Sequence, residues 1–201
     1  MRKEVHCLQK FCVFCGSNPG GEPAYSEAAV NVGRLIASRG GRLVYGGGRV
    51  GLMGSVANAA LEAGREVIGV MPRSLVEKEI AHNGLTKLHI VESMHERKAL
   101  MEKLSDAFLL LPGGFGSWDE FSEIVTWAQL GIHAKPCGIL NVAGYYDPFL
   151  AQIDRAVAEG FVRPAHRNIV LVASDAGTLL SRLMSAPVVS EIKWAQPTNR
   201  A

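Results

Sequence analysis

The chain has 201 residues, which is enough for one domain whose hydrophobic core needs no disulfide or metal to stabilise it. With 21 lysine and arginine residues against 19 aspartate and glutamate residues, the formal net charge is +2, so neither nucleic acid nor an anionic membrane is indicated as a partner. No apolar run is long enough to cross a bilayer and the start of the chain does not resemble a secretory signal, so we expect a cytoplasmic protein.

Apolar runs alternate with helical patterns along the chain. The predicted strands are residues 11–15, 43–45, 67–71, 88–91, 107–111, 137–142 and 169–172. The predicted helices are residues 25–39, 52–63, 96–104, 118–130, 148–159 and 176–184. Strands this apolar, separated by helix-length segments, predict a parallel sheet with helices on both faces, a Rossmann-like doubly wound α/β fold. We expect a single domain over residues 1–201, with residues 188–201 as a loose C-terminal tail.

Four cysteines could suggest a metal or redox site. Cys12 and Cys15 have CxxC spacing, but they lie in the first predicted strand, where alternation would turn them to opposite faces. No second pair of this kind and no histidine pair completes a site, and a thioredoxin-type motif would open a helix instead. The sequence therefore predicts buried, reduced cysteines and no bound metal.

Three glycine-rich segments follow predicted strands, at residues 16–21, 46–51 and 113–116. Because the carboxyl ends of parallel strands share one rim, where such folds bind ligands, we expect these segments to lie together. Gly46-x-Gly48-x-x-Gly51 also matches the dinucleotide-binding fingerprint. The next predicted strand has no acid at its tip to bind a ribose, although Arg73 could contact the 2′-phosphate of NADP. An NADP-binding oxidoreductase therefore stays an alternative, without an obvious residue for hydride transfer.

Residues 111–120, LPGGFGSWDE, are the most informative segment. Glycines 113, 114 and 116 remove side chains from a turn between a strand and a helix, so backbone amides could bind phosphate at the helix N-terminus. Glu120 lies one turn into that helix, which suggests chemistry on a phosphorylated small molecule. Ser117 and Glu120 also match a capping box, in which both would serve only the helix start, and the two interpretations stay open.

A charged segment follows the fourth predicted strand, where Arg97 and Lys98 stand near a helix start. Cations there oppose the helix dipole, so an anionic ligand explains them better than stability does. Glu79, after the third predicted strand, would either overhang the same rim or be an ordinary exposed loop acid.

Residues 112–120 resemble the PGGxGTxxE signature of the LONELY GUY family, the cytokinin riboside 5′-monophosphate phosphoribohydrolases. The similarity recurs in order at residues 14–17, 45–54, 71–73, 93–98 and 126–131, so it extends over most of the chain. Ser117 replaces the usual threonine but keeps the hydroxyl, whereas Trp118 and Asp119 replace Leu-Glu or Ile-Glu and could reshape the pocket wall. Relatives have carried the label lysine decarboxylase, but this chain has no pyridoxal-phosphate lysine motif.

The resemblance implies hydrolysis of the N-glycosidic bond of an adenine-type nucleoside 5′-monophosphate, a cytokinin nucleotide or AMP, to free base and ribose 5-phosphate without a cofactor. Glu120 would stabilise the oxocarbenium-like ribose and activate water, and Arg97 would hold the substrate or support the departing base. Besides these two, the predicted substrate-binding residues are Gly16, Ser17, Gly46, Gly47, Gly48, Glu79, Lys98, Gly113, Gly114, Phe115, Gly116, Ser117, Trp118, Asp119 and Thr126.

The family also suggests a homodimer, with the helix containing Trp127 and Leu130 as a contact, although core packing would also explain those residues. A different class of function stays open as well. A non-catalytic nucleotide carrier, like the molybdenum-cofactor carrier proteins, would keep the glycine turns but would not need Arg97 and Glu120 together.

Overall fold

The computed structural model describes residues 9–76 and 81–186. In these parts of the chain, seven parallel strands form one sheet in the order β4-β3-β2-β1-β5-β6-β7. The strands are β1 (Lys10–Phe14), β2 (Arg42–Tyr45), β3 (Val67–Pro72), β4 (Lys87–Val91), β5 (Ala107–Leu110), β6 (Cys137–Leu140) and β7 (Val170–Ala173). Each predicted strand is present, and the predicted α/β parallel fold is confirmed. The predicted tail at residues 188–201 lies outside the described residues.

Helices follow each strand, and the last of them comes after β7. They are α1 (Pro23–Ser38), α2 (Gly51–Glu62), α3 (Arg73–Val76), α4 (Met94–Lys103), α5 (Phe115–Gln129), α6 (Asp147–Ala158), α7 (Pro164–Arg167) and α8 (Ala176–Ser185), with a 3₁₀ turn at Val142–Gly144. The six predicted helices are confirmed with ends that differ by a few residues. Helices α3 and α7 were not predicted, because four residues are too few to show a helical period of apolar residues.

Two hydrophobic layers cover the sheet, one on each face. Helices α1, α2 and α8 pack on the face that carries Phe11, Val13 and Cys15. Helices α4, α5 and α6 pack on the face that carries Cys12 and Phe14. The predicted separation of the two CxxC cysteines is therefore confirmed. Both thiols are free and buried, and among the described residues no cluster of histidine, cysteine, aspartate or glutamate could hold a metal ion.

The order in which strands are added to the sheet reverses between β1 and β5. Strands β2 to β4 extend the sheet to one side of β1, and β5 to β7 extend it to the other. The loops after β1 and β5 therefore diverge at the carboxyl edge and leave a crevice, the usual ligand position in such folds. The amide of Gly16 donates to the carbonyl of Pro112 at 3.0 Å, which joins the two loops at the base of this crevice. Within residues 9–76 and 81–186, no helix is long and apolar enough to span a membrane.

Candidate active site

A cavity of about 390 Å³ opens at the crevice between β1 and β5. Its walls come from the loop after β1, the starts of α1 and α2, one side chain of α4, the segment from the end of β5 into α5, and the loop after β6. The structure brings many of the predicted site residues together on these walls: Gly16, Ser17, Arg97, Gly113, Gly114, Phe115, Gly116, Ser117 and Glu120.

The start of α5 decides between the two interpretations of Ser117 and Glu120. The N-cap residue is Gly114, with no side-chain cap, so Ser117 is already inside the helix and Glu120 lies in the second turn. The capping-box interpretation is therefore wrong for this pair. It fits α4 instead, where Ser93 Oγ accepts from the amide of Glu96 at 3.1 Å.

We call residues 112–117 the glycine turn. The amides of Phe115, Gly116 and Ser117 occupy the first turn of α5, where backbone N–H groups have no intrahelical acceptor and the helix dipole favours an anion. A β-carbon on Gly113 would lie 2.3 Å from Ser117 Oγ and 2.9 Å from the amide nitrogen of Gly16, so only glycine fits there. The glycine turn thus has the tight backbone and the amides that a phosphate site needs.

Arg97 lies near the start of α4, as predicted. A charged side chain is normally solvated at such a position, but Arg97 is buried. Its side chain is 8% exposed and crosses to the ends of two strands. Nε donates to the carbonyl of Val70 at 3.1 Å and Nη2 donates to the carbonyl of Gly46 at 3.5 Å. Nη1 lies 3.3 Å from Glu120 Oε1, so the guanidinium joins the sheet edge to α5.

The glycine-rich segment at residues 46–51 contributes indirectly. Gly46, Gly47 and Gly48 are buried and do not line the cavity. A β-carbon on Gly46 would lie 2.2 Å from Arg97 Nη2, so this glycine leaves the space that the guanidinium occupies. The segment therefore positions Arg97, through the space at Gly46 and the bond to its carbonyl.

Glu120 is 8% exposed and completes a buried ion pair with Arg97 at the cavity wall. Cys15 lines the same cavity, and burial together with the neighbouring Glu120 carboxylate raises the pKa of its thiol. A thiol with a raised pKa is a poor nucleophile. The Cys15 thiol is therefore a poor candidate nucleophile, whereas Glu120 brings a carboxylate to the cavity wall.

Other predicted site residues lie outside this cavity. Lys98 Nζ is 3.1 Å from Asp119 Oδ2 and 3.0 Å from Glu123 Oε2. Burial opposes the charge of Lys98, but hydrogen bonds to those two carboxylates outweigh it and raise the pKa of the amine. Trp118 packs against the hydrophobic layer under α5, and Thr126 lines a separate cavity. Glu79 lies outside the described residues.

The cavity also has wall residues that the sequence did not point to. Tyr25, Met53 and Tyr145 lie on its walls. Tyr145 follows β6 on the same rim as the glycine turn, which is a positional signal, but no sequence pattern singles it out. Tyr25 and Met53 lie early in α1 and α2, in stretches that resemble ordinary amphipathic helix.

Comparisons with known proteins decide the family. A family model described as "possible lysine decarboxylase" matches residues 53–183. A cytokinin riboside 5′-monophosphate phosphoribohydrolase of Rhodococcoides fascians is 54% identical over 164 residues, which cover 81% of this chain and 83% of the relative. Another, from Arabidopsis thaliana, is 49% identical over 176 residues, 88% of this chain and 83% of the relative. The chain belongs to the LONELY GUY family of phosphoribohydrolases. As a member of this family it is an enzyme of the N-glycosyl hydrolase type.

Solved structures share the fold at lower identity. A molybdenum cofactor binding protein of Rippkaea orientalis has a TM-score of 0.64 and 22% identity, over 84% of this chain and 91% of that one. The molybdenum cofactor carrier protein of Chlamydomonas reinhardtii has a TM-score of 0.64 and 20% identity over the same shares. At this identity the similarity concerns the architecture alone, because one such fold supports many functions.

Proposed function

We propose that this LONELY GUY family enzyme hydrolyses the N-glycosidic bond of adenine-type nucleoside 5′-monophosphates, namely cytokinin riboside 5′-monophosphates, AMP or both. The products would be the free base and ribose 5-phosphate. One observation carries the proposal: the buried Arg97–Glu120 pair and the glycine turn line the same cavity. The names of the relatives support the substrate class. A carrier protein would need the phosphate site but not a buried ion pair beside it.

The reaction would begin with the 5′-phosphate on the amides of residues 114–117. Binding energy from this remote group can be used to hold the sugar in the orientation for attack. As the bond between the anomeric carbon and the base nitrogen breaks, its electron pair leaves with the base and positive charge develops on the ribose. The Glu120 carboxylate would stabilise that charge and orient or deprotonate the attacking water. The hydroxyl adds to the anomeric carbon, and the base takes up a proton.

Arg97 would contact both the Glu120 carboxylate and the departing base. Its Nη1 fixes one Glu120 oxygen at 3.3 Å, and the sheet-edge carbonyls of Val70 and Gly46 hold the rest of the guanidinium. A planar guanidinium keeps several donors in a fixed arrangement, so those not engaged by carbonyls can face the departing base. On this proposal, the contacts of Arg97 and Glu120 would hold both side chains in place before the substrate enters, which would lower the cost of reorganisation.

The proposal includes a homodimer. Trp127 on α5 and Leu130 just after it are only partly buried, and Ile132 is 62% exposed. A second copy would cover this apolar surface. Light scattering coupled to size-exclusion chromatography should give twice the chain mass, and a monomer at assay concentration would contradict this part of the proposal.

The activity is tested with AMP, its N6-isopentenyl analogue and adenosine as substrates. Chromatography of the products should show base and ribose 5-phosphate from at least one monophosphate and almost no base from adenosine, which cannot use the glycine turn. Similar kcat/KM for adenosine and AMP, or no base from either monophosphate, would contradict the proposal. The ratio of kcat/KM for AMP and the isopentenyl analogue then tells which monophosphate is preferred.

A further inference from the structure

The loop after β6 is held by side-chain hydrogen bonds and brings Tyr145 to the cavity. It contains Ala143 in the left-handed region, at φ 49°, a strained conformation for an L-residue that needs surrounding contacts to hold it. Asn141 supplies two of these contacts. Its Oδ1 accepts from the amide of Tyr146 at 2.8 Å and its Nδ2 donates to Asp147 Oδ1 at 2.7 Å.

The Tyr145 hydroxyl donates to the carbonyl of Gly113 at 2.6 Å. The phenol ring is fixed by edge-on packing against Tyr25 at 5.5 Å and Tyr146 at 4.8 Å between ring centroids. Tyr145 and Gly113 both line the cavity of the candidate active site. A side chain from a distant loop thus holds the backbone of the glycine turn, and the catalytic scheme above gives it no role.

The bonded carbonyl belongs to the peptide between the two adjacent glycines of the glycine turn. Gly113 and Gly114 flank it, and glycine allows a wide range of backbone angles, so this peptide plane could rotate at little steric cost. In a trans peptide the carbonyl of one residue and the N–H of the next point in opposite directions. The peptide is trans, so the hydroxyl on the Gly113 carbonyl also fixes the direction of the Gly114 N–H, away from Tyr145.

We propose that Tyr145 is a positioning residue for phosphate binding, whose hydroxyl holds the Gly113–Gly114 peptide so that the Gly114 amide faces the ligand phosphate. This inference deepens the proposed function and rests on it for the identity of the ligand as a phosphate ester. Ribose 5-phosphate is a sufficient ligand for the test, because it carries the phosphate without the base.

The test compares Tyr145→Phe with Tyr146→Phe. Tyr146 also donates its hydroxyl to a backbone carbonyl, that of Leu111 at 2.8 Å, but it is 1% exposed and does not line the cavity. Calorimetric titration with ribose 5-phosphate should show affinity reduced about threefold to tenfold in Tyr145→Phe, the effect of one net hydrogen bond. The KM for AMP should rise by a similar factor with little change in kcat. Tyr146→Phe should lower the Tm and leave both values as in the wild type.

Wild-type affinity for ribose 5-phosphate in Tyr145→Phe would overturn the inference. Equal losses of affinity in both variants would overturn it too, because they would indicate general loosening of the fold. If the wild-type protein does not bind ribose 5-phosphate at all, the phosphate site itself is wrong and the inference fails with it. Binding that responds to Tyr145→Phe in a protein that releases no base would refute the proposed hydrolysis and leave the role of Tyr145 standing.

Discussion

Replacing Gly46 with alanine should damage catalysis by moving Arg97. The new β-carbon would lie 2.2 Å from Arg97 Nη2, whereas ordinary contact begins at 3.4 Å, so the guanidinium must retreat by about 1.2 Å. It cannot do so freely, because Nε is bonded to the Val70 carbonyl at 3.1 Å and Nη1 pairs with Glu120 at 3.3 Å. A displacement of about 1 Å in a catalytic group can cost about a hundredfold in rate, and we expect kcat/KM to fall by about this factor.

The assay is release of base from the preferred monophosphate by Gly46→Ala, Gly21→Ala and the wild type. Gly21 is the matched control, because a β-carbon there would meet no atom within 4 Å, and its variant should keep wild-type activity. Overpacking at Gly46 should also cost about 1–3 kcal/mol of stability, so a melting curve must show that the variant is folded at the assay temperature. A folded Gly46→Ala variant with wild-type kcat/KM would refute the reasoning that the placement of Arg97 matters.

Two further predictions concern Arg97 and a buried histidine. Arg97→Lys keeps the charge but not the guanidinium fork, so kcat/KM for base release should fall about a hundredfold; near wild-type activity in a folded variant would remove Arg97 from the site. His133 is buried, donates from Nε2 to the Ile124 carbonyl at 2.9 Å and accepts at Nδ1 from the Lys135 amide at 3.1 Å, and burial lowers its pKa. As the pH falls, the His133 imidazole therefore becomes protonated at a higher pH in the unfolded chain than in the folded one. The free energy of unfolding should decrease as the pH falls below about 6.5, by at most about 1.4 kcal/mol per pH unit. Urea unfolding at several pH values should show this part of the pH dependence in the wild type and not in His133→Gln; identical profiles would contradict it.

The sequence was sufficient for the fold because a parallel sheet covered on both faces needs nearly continuous apolar strands. Strands β3, β5 and β6 are buried along their whole length, and the predicted runs fall on them. The start of α5 was placed too late, because Phe115 and Gly116 show no helical pattern and glycine is a poor helix former. That start depends on the tertiary position of the glycine turn, which local propensity does not reveal.

The sequence predicted the cavity-lining residues better in the loops that follow strands than on the helices. Glycine segments at the carboxyl ends of strands fall on one rim by topology alone. Successive helix residues differ by about 100° in direction, so Lys98 leaves the cavity wall that Arg97 joins and pairs with Asp119 instead. Tyr145 could not be inferred, because its position depends on the strained turn at Ala143 and on contacts from distant segments.

Glu120→Gln tests the catalytic role of Glu120 most directly. Glutamine has nearly the same size and can still accept from Arg97, but it leaves the buried guanidinium without its counter-charge, so a melting curve must show that the variant is folded at the assay temperature. Loss of a general base or acid typically costs about a hundredfold to ten-thousandfold in rate, and kcat for base release should fall within that range. The control Glu123→Gln changes a carboxylate on the same helix that does not line the cavity, and it should keep its activity. A folded Glu120→Gln variant that retains most of the wild-type kcat would contradict the assignment of Glu120 as the catalytic carboxylate.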